Sequence, residues 1–409
     1  MRNMQSKIVM RTALAIFLGA GGITAHAQTQ YNVALMSDFS GPYADIMPFL
    51  AKSREAVIDW WNAEIGTKHG VKINYKNYDT RYDPAQVASL WPGVKSELSP
   101  IAVMGIGGPD AAALSERLQQ DKIPLFQGTA TYGYIWKPNS WVFFARPTYA
   151  HESAAAMEWL RARRGGSEPL KVAMLGSEAT PAYVDIPKGL AKYAEDHPQS
   201  VQVTEILYTD VQPVDLTTQT RRLLSKGTET FYIATNTAQV VAVKRALQAF
   251  GSKAPIVVSS HNGLIASGKA LGDPKQMEGD YEVYAMALPT DEDTPAKRFY
   301  EKLKAEYGLN IPWNILTVMG MSQGLYTIRA IEHAIERYGA TGLTGEKVRQ
   351  ALFEREITTE ETFTFLPNLK YTEDAPFPTS GLTVNIGTLK DGKLVSAARG
   401  VPVPVLNKW

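Results

Sequence analysis

The feature that most constrains this chain is an alternation of short apolar segments with longer amphipathic ones along most of its length. Apolar runs of about four to eight residues between Gly, Asp and Pro predict buried strands, and the segments between them have helical periodicity. In AKSREAVIDWWNAEI, for example, Ala56, Val57, Trp60 and Trp61 share one helix face. Such alternation predicts parallel sheets built from right-handed crossovers. The predicted strands are 32–36, 72–78, 101–105, 124–127, 171–176, 201–208, 230–235 and 255–260.

The alternation is interrupted near residues 141–150 and again near 281–288, and a helical pattern then runs from 295 to about 338. Further on, Asp391-Gly392 stands between two alternating runs, which predicts a β-hairpin. Each α/β series is too short to account for 409 residues alone. The sequence therefore predicts an α/β protein with two doubly wound, Rossmann-like lobes.

The N-terminus has the pattern of an export signal. Basic residues precede the apolar run TALAIFLGAGGITA, and Ala25-His26-Ala27 has the small residues of a cleavage site. We expect residues 1–27 to be removed on export to the periplasm, so that the mature chain starts at Gln28. The apolar run is shorter than the length of about 20 residues that a transmembrane helix needs, and no direct membrane insertion is expected. The chain contains no Cys, which excludes disulfides and thiolate chemistry.

The charge balance argues against polyanionic partners. The chain has 42 basic and 41 acidic residues, and removal of the three basic residues of the signal leaves 39 basic residues against 41 acidic ones. A mature chain so close to neutrality has no electrostatic footprint for nucleic acid or for an anionic membrane surface.

The segment GMSQG at 320–324 matches the G-x-S-x-G motif of α/β hydrolases, which needs a strand before the Ser and a sharp turn at it. Here one helical pattern continues through both flanks, so we interpret the small residues as a helix-packing surface. An acid and then a His must also follow Ser322, but the only later His, His333, lies on the same predicted helix. No catalytic residue is assigned.

The sequence also lacks convincing motifs for a dinucleotide site and for a metal site. The segment GIGGPD at 105–110 resembles a dinucleotide-binding fingerprint, but Asp110 occupies the third Gly position and the loop follows the third strand rather than the first. The His residues of the mature chain have no spacing typical of metal ligands. The sequence therefore predicts neither a cofactor nor a metal site.

What remains is a set of polar loops at the carboxyl ends of the predicted strands, where open α/β sheets bind ligands. These loops are rich in Gly, Ser, Thr, Asn and aromatic residues, which suits a small polar or amphipathic molecule. They are MSDFSGPYAD, GIGGPDAA and QGTATYGYIW in the first series and GSEATPAYVD, ATNTAQ and SSHNG in the second.

These segments carry a resemblance to a known family. The SGPYA loop, the stretch DTRYDPAQVA, the GTAT loop, the segment ARPT and the MEG entry to YEVYA stand in the family's order and spacing. The chain thus resembles the type I periplasmic binding proteins of ABC transporters, in their leucine/isoleucine/valine-binding and amide-binding branch. The resemblance covers essentially the whole mature chain.

The resemblance implies two lobes that are joined by three crossovers and close on a ligand like a hinged clamp. On this pattern residues 28–147 plus 282–366 form one lobe, and residues 148–281 plus 367–409 form the other. It also implies a monomer that delivers a small-molecule ligand to the membrane permease of an ABC importer, without cofactor or catalysis.

Carried over by position, the resemblance places ligand contacts in both lobes. Thr129 and Thr131 would grip a carboxylate through hydroxyl and backbone N–H groups. Any one of the assigned residues could instead serve only as a turn residue or, for Tyr183, as a core aromatic. The predicted ligand-binding residues are Tyr43, Pro109, Asp110, Thr129, Thr131, Tyr183, Asn236 and His261.

His261 departs from the family pattern. Amino-acid-binding members place a Glu at this position to pair with the ligand's ammonium group, and a His cannot supply that anion. We therefore expect a small organic carboxylate without an α-ammonium group, and the loop aromatics Tyr43, Tyr132, Tyr134 and Trp136 favour an aromatic one. An anionic group near His261 would stabilise the charged imidazole and tighten binding at mildly acidic pH.

Three alternatives stay open. Another acid, Glu178, Asp185 or Asp110, could replace the missing Glu, which would keep a branched-chain or other aliphatic amino acid, or an amide, as the ligand. A periplasmic sensor module would carry the same loops. An α/β hydrolase that acts through Ser322 is the alternative with the least support.

Overall fold

The computed structural model describes residues 28–129, 137, 139–179, 181–375, 377–378 and 381–409. The predicted signal at 1–27 lies outside the described residues, and so do the predicted ligand contact Thr131 and the aromatic residues Tyr132, Tyr134 and Trp136. Within the described chain, each helix is too short or too polar to cross a membrane.

The first lobe is built on five parallel strands, β1 (Thr29–Ser37), β2 (Val71–Asp79), β3 (Ala102–Gly105), β4 (Leu125–Gln127) and β5 (Val142–Phe144). The connecting helices are α1 (Met47–Trp61), α2 (Thr67–His69), α3 (Pro84–Leu98) and α4 (Gly108–Asp121). The strand order is β2-β1-β3-β4-β5, so the order reverses at β1, which pairs with β2 on one side and β3 on the other. The loops after β1 and β3 therefore open a crevice at the carboxyl edge of the sheet.

The second lobe repeats this arrangement. Its strands are β6 (Leu170–Gly176), β7 (Val201–Tyr208), β8 (Thr230–Ile233), β9 (Ile256–Val258), β10 (Tyr281–Tyr284), β11 (Thr383–Lys390) and β12 (Lys393–Pro402). Its helices are α5 (Tyr149–Arg164), α6 (Pro181–Asp196), α7 (Thr217–Ser225), α8 (Thr237–Ala249) and α9 (Leu264–Leu271). The order β12-β11-β10-β9-β8-β6-β7 reverses at β6, between β7 and β8. The last two strands are antiparallel and form the hairpin predicted around Asp391-Gly392. The predicted fold class is confirmed.

Three further helices, α10 (Pro295–Glu306), α11 (Ile315–Tyr338) and α12 (Gly345–Glu354), pack on the first lobe. Helix α11 accounts for the G-x-S-x-G match. A Cβ atom at Gly320 would lie 2.7 Å from the carbonyl oxygen of Leu50 in α1, and one at Gly324 would lie 3.0 Å from Cβ of Val57. The small residues therefore let two helices approach closely. Ser322 is buried in the middle of α11, which confirms the helical interpretation of this segment.

Two crossings between the lobes lie a few residues beyond the predicted boundaries. Strand β10 pairs with β9 and β11, so the backbone of residues 282–284 belongs to the second sheet, although the Tyr284 side chain packs in the core of the first lobe. Leu369 and Tyr371 pack in the core of the first lobe, and the Tyr371 hydroxyl donates to the Phe144 carbonyl at 2.8 Å. The boundary predicted at 367 is therefore displaced as well, because the apolar side chains that follow it continue the first core.

A buried ion pair connects two of these crossings. Nη1 of Arg146, between β5 and α5, lies 3.3 Å from Oε1 of Glu152, and both side chains are almost completely buried. The same Glu152 oxygen accepts a hydrogen bond from the backbone N–H of Ala285, directly after β10, at 2.9 Å. Burial lowers the pKa of the Arg146 guanidinium, but the Glu152 carboxylate and the neighbouring tyrosine hydroxyls together raise it above its ordinary value. The pair therefore fixes one crossing against the other.

Candidate functional site

A cavity of about 910 Å³ lies between loops of the two lobes. Its first wall comes from the loop after β1 and from Tyr82 after β2. Its second wall comes from the loops after β6, β7, β8 and β9 and from one face of α8. Both strand-order reversals contribute loops to it, as expected for ligand sites of open α/β sheets.

Two buried or partly buried carboxylates shape the loop after β1. Asp38 accepts hydrogen bonds from the backbone N–H groups of Gly41, at 2.6 Å, and Tyr43, at 2.8 Å. Asp79, at the end of β2, accepts from the backbone N–H of Phe39 at 2.9 Å. These bonds pair N–H groups that would otherwise be unsatisfied in an irregular loop. The loop is thereby held in the shape that presents Tyr43 to the cavity.

Asp110 stabilises the N-terminus of α4. Its Oδ2 accepts from the backbone N–H groups of Ile106, at 2.6 Å, and Gly107, at 3.1 Å, at the start of α4. Burial raises the pKa of Asp110 to about 6, against those two bonds and the charge of buried Arg54. The Arg54 guanidinium in turn donates to the carbonyl of Met36 at 3.2 Å. Asp110 is therefore occupied in capping the helix.

Tyr82 and Thr129 both lie beside Gly107. A Cβ atom at Gly107 would lie 2.8 Å from the Tyr82 hydroxyl and 3.0 Å from Oγ1 of Thr129. Tyr82 also lies edge-on to Tyr43, with ring centroids 4.6 Å apart, and it lines the cavity. Arg81 and Tyr82 both have left-handed backbone conformations, with φ of 53° and 52°. Left-handed conformations are uncommon for residues other than Gly, and this backbone places the Tyr82 hydroxyl beside Gly107.

Two tyrosines meet across the cavity from opposite lobes. The hydroxyl oxygens of Tyr43 and Tyr183 lie 3.4 Å apart. Either hydroxyl can donate to the other, and both oxygens have lone pairs that can accept from a bound molecule. Burial raises the pKa of Tyr183, with a further contribution from Tyr43, so its hydroxyl stays neutral.

His261 lies beside this pair as a neutral ring. Its Nδ1 is 2.9 Å from the carbonyl oxygen of Ala234, and because a carbonyl only accepts, Nδ1 carries the proton and Nε2 keeps a lone pair. The ring packs on Tyr149, with centroids 4.5 Å apart, and edge-on to Tyr183 at 5.5 Å. Burial lowers the pKa of His261 to about 4, and the Arg146 charge also lowers it. In the ligand-free chain the ring is therefore neutral at mildly acidic pH, and the expected tightening of binding by an anionic group near His261 stays a prediction.

This neutrality gives a testable pH dependence. The pKa of His261 is about 4 in the folded chain and near 6.5 in the unfolded chain. As the pH falls, the His261 side chain of the unfolded chain is therefore protonated first. The stability linked to His261 is therefore complete above about pH 6.5 and is lost as the pH falls towards 4. We expect the His261 ring protons to titrate below pH 5 in NMR spectra. The wild type should also lose stability relative to His261→Gln between pH 7 and 4.5, whereas a ring that titrates near pH 6.5 would contradict the assignment.

Four of the eight predicted ligand contacts line the cavity, namely Tyr43, Tyr183, Asn236 and His261. Pro109, Asp110 and Thr129 belong to the described residues but do not line it. The sequence interpretation missed Tyr82, the loop at 211–214 and the face of α8. The sequence does contain a pattern that indicates this helix face, namely the i, i+3, i+4, i+7 spacing of Ala238, Val241, Ala242 and Arg245. The assigned contacts stay predictions.

One group of side chains brings three potential metal ligands together. Ligand atoms of His69, Glu332 and Glu336 lie within 4.8 Å of one another. Both carboxylates already have cationic partners, because Glu332 pairs with Arg329 and Glu336 with Arg355. This group lies away from the cavity and gives no argument for metal chemistry.

The geometry of the cavity can be compared with known proteins. Residues 30–380 match a family model described as periplasmic binding protein. No curated protein matches the sequence significantly.

Several solved structures are similar over nearly the whole chain. A branched chain amino acid ABC transporter protein from Thermus thermophilus with bound valine is 18% identical, with a TM-score of 0.75 and coverage of 91% of this chain and 96% of that one. A solute binding protein from R. palustris in complex with 4-hydroxybenzoate is 18% identical, with a TM-score of 0.67 and coverage of 90% and 95%. A fatty acid ABC transporter substrate-binding protein from Thermomonospora curvata is 17% identical, with a TM-score of 0.72 and coverage of 92% and 95%. These likenesses show the fold.

Proposed function

We propose, from the premise that this chain belongs to the periplasmic binding protein family, that it captures a small organic carboxylate for an ABC importer. The ligand is bound between the two lobes and released unchanged. Aromatic carboxylates are the class that we favour.

The observation that carries this proposal is the set of neutral rings at the cavity. Tyr43 and Tyr183 offer hydroxyl groups, and His261 offers an unprotonated Nε2. A buried ammonium group needs a carboxylate partner, and none of these three side chains is one. Flat aromatic faces beside a few hydrogen-bonding groups suit an aromatic or other apolar acid.

The acids that could have replaced the family's Glu are engaged elsewhere or do not line the cavity. Asp185 accepts a hydrogen bond from the Trp409 indole at 3.0 Å, and Asp110 caps α4. Glu178 adjoins the lining residue Ala179, but its side chain is exposed and does not line the cavity itself. Asp45 is the one carboxylate among the described lining residues, and it is exposed to solvent. These placements support a ligand without an α-ammonium group.

A branched-chain amino acid is the second candidate. A structure of this fold holds valine and another holds 4-hydroxybenzoate, so the fold accommodates both chemistries. Asp45 is the residue that would have to pair with the ammonium group of an amino acid.

Calorimetric titration with 4-hydroxybenzoate, other aromatic acids, leucine, isoleucine and valine tests the proposal. We expect an aromatic acid to bind, the three amino acids to bind weakly or not at all, and His261→Ala to weaken acid binding at least tenfold, about 1.4 kcal/mol. At 100 times its Kd, the acid should add about 2.7 kcal/mol of apparent stability. Tight leucine binding, or chemical alteration of the acid after incubation with pure protein, would refute the proposal.

We further propose that the chain works in the periplasm after cleavage behind Ala27, and that a membrane permease is its partner. The family membership supports export, and the Ala25-His26-Ala27 pattern supports the position of the cut. Mass spectrometry of the exported protein should give a chain that starts at Gln28, and a retained N-terminus would contradict this.

A further inference from the structure

The cavity extends along one face of α8, well beyond the cluster of Tyr43, Tyr183 and His261. Ala238, Val241, Ala242 and Arg245 all line it, and their spacing places them on a single helix face. His261 is bonded to Ala234, just before the N-terminus of α8. Seven residues of α-helix span about 10 Å, so the cavity runs for about two turns from the polar rings to Arg245.

Arg245 is a cation without a partner in the described part of the chain: its guanidinium has no hydrogen bond or ion pair there, and the side chain is exposed. Its neighbour Lys244, by contrast, pairs with buried Asp280. Among the described lining residues, one exposed carboxylate, Asp45 on the opposite lobe, stands against Arg245. The α8 side of the cavity therefore favours an anion.

The stretch between the two ends is apolar. Ile46 contributes to it from the first lobe, and Val211, Val214 and Val241 contribute from the second. Val214 is 99% exposed although it is a large hydrophobic residue. An apolar ligand body in this stretch would cover it, which gives the hydrophobic stabilisation that the open cavity lacks.

We propose that Arg245 binds the carboxylate of an elongated amphipathic ligand, while a hydrogen-bond donor at the other end of the ligand meets His261 and the two tyrosines. This inference rests on the proposed function and refines it. His261 accepts through Nε2, so a phenolic hydroxyl or a similar O–H group fits that end. The carboxylate lies two turns along α8, at Arg245, and not at Thr129, which does not line the cavity.

The test pairs two substitutions with two pairs of probes. The probes are 4-hydroxybenzoate and 3-(4-hydroxyphenyl)propanoate, each with its neutral amide. Arg245→Gln removes the proposed anion contact. Lys269→Gln is the matched control, because it removes the same charge from exposed Lys269, which adjoins the lining residue Ala270 but does not line the cavity itself. Calorimetry measures each Kd, and thermal unfolding checks that both variants are folded.

We expect Arg245→Gln to weaken binding of at least one acid tenfold or more and to change the Kd of its amide by less than twofold. Lys269→Gln should change the Kd of the acid and the Kd of its amide by less than twofold each. If an acid binds the wild type and Arg245→Gln equally well, the Arg245 contact is refuted while the proposed function stands. If neither acid binds the wild type and leucine does, the ligand class and the Arg245 contact both fail.

Discussion

Glu152→Gln is expected to lower the free energy of unfolding by about 3–5 kcal/mol, the usual effect of removing one partner of a buried ion pair. The Arg146 guanidinium would then be buried without its counter-charge, since both side chains are nearly inaccessible to water. Gln keeps an oxygen that can accept from the Ala285 N–H, so the substitution isolates the charge. Urea unfolding followed by circular dichroism measures the effect.

Two controls separate this effect from a general loss of packing. The double variant Arg146→Met/Glu152→Met should recover most of the lost stability, because apolar pairs of similar volume replace buried ion pairs well. Asp293→Asn removes a carboxylate that pairs with Arg298 on the surface and should cost less than about 1 kcal/mol. A loss for Glu152→Gln as small as that for Asp293→Asn would show that the buried pair does not fix the crossings.

Gly320→Ala is expected to destabilise the protein by about 2–3 kcal/mol through overpacking. The new methyl group would lie 2.7 Å from the carbonyl oxygen of Leu50 and 2.7 Å from Cβ of Ser53, so α1 and α11 would have to move apart. Thermal and urea unfolding check this. The result bears on function, because it shows that the small residues of G-x-S-x-G serve helix packing.

Gly93→Ala is the matched control, since Gly93 also lies inside a helix but has no atom within 4 Å of an added Cβ. There the same substitution should stabilise the protein by about 0.5–1 kcal/mol. Ser322→Ala should leave ester hydrolysis at the background rate. Equal effects at Gly93 and Gly320, or hydrolysis that depends on Ser322, would contradict the packing interpretation.

The strands could be predicted from the sequence because each is short, apolar and bounded by turn residues. All eight predicted strands are present, with ends that differ by a few residues. The second crossing could not be placed because Tyr281–Tyr284 is apolar enough for either sheet, and pairing with β9 decides it. The third crossing could not be placed from the sequence either, because Leu369 and Tyr371 join the core of the first lobe only through tertiary packing.

The candidate site was less predictable for a physical reason. Loop residues such as Tyr43, Asn236 and His261 follow strands, and strand order alone places them at the crevice. Tyr82 reaches the cavity because two residues adopt left-handed conformations, which no local pattern indicates. The protonation of His261 depends on Ala234, 27 residues away in sequence, and on burial, so its pKa could be inferred only from the folded chain.

The central claim is that the two lobes close on a small organic acid, and small-angle X-ray scattering tests it most directly. Tyr43 and Tyr183 approach each other from opposite lobes, while Arg245, Asp45 and Val214 stay exposed around the open cavity. We predict that the radius of gyration decreases when 3-(4-hydroxyphenyl)propanoate is added, up to the concentration that saturates the calorimetric signal, and that it does not change with valine. An unchanged radius of gyration at saturation with the acid would contradict the account.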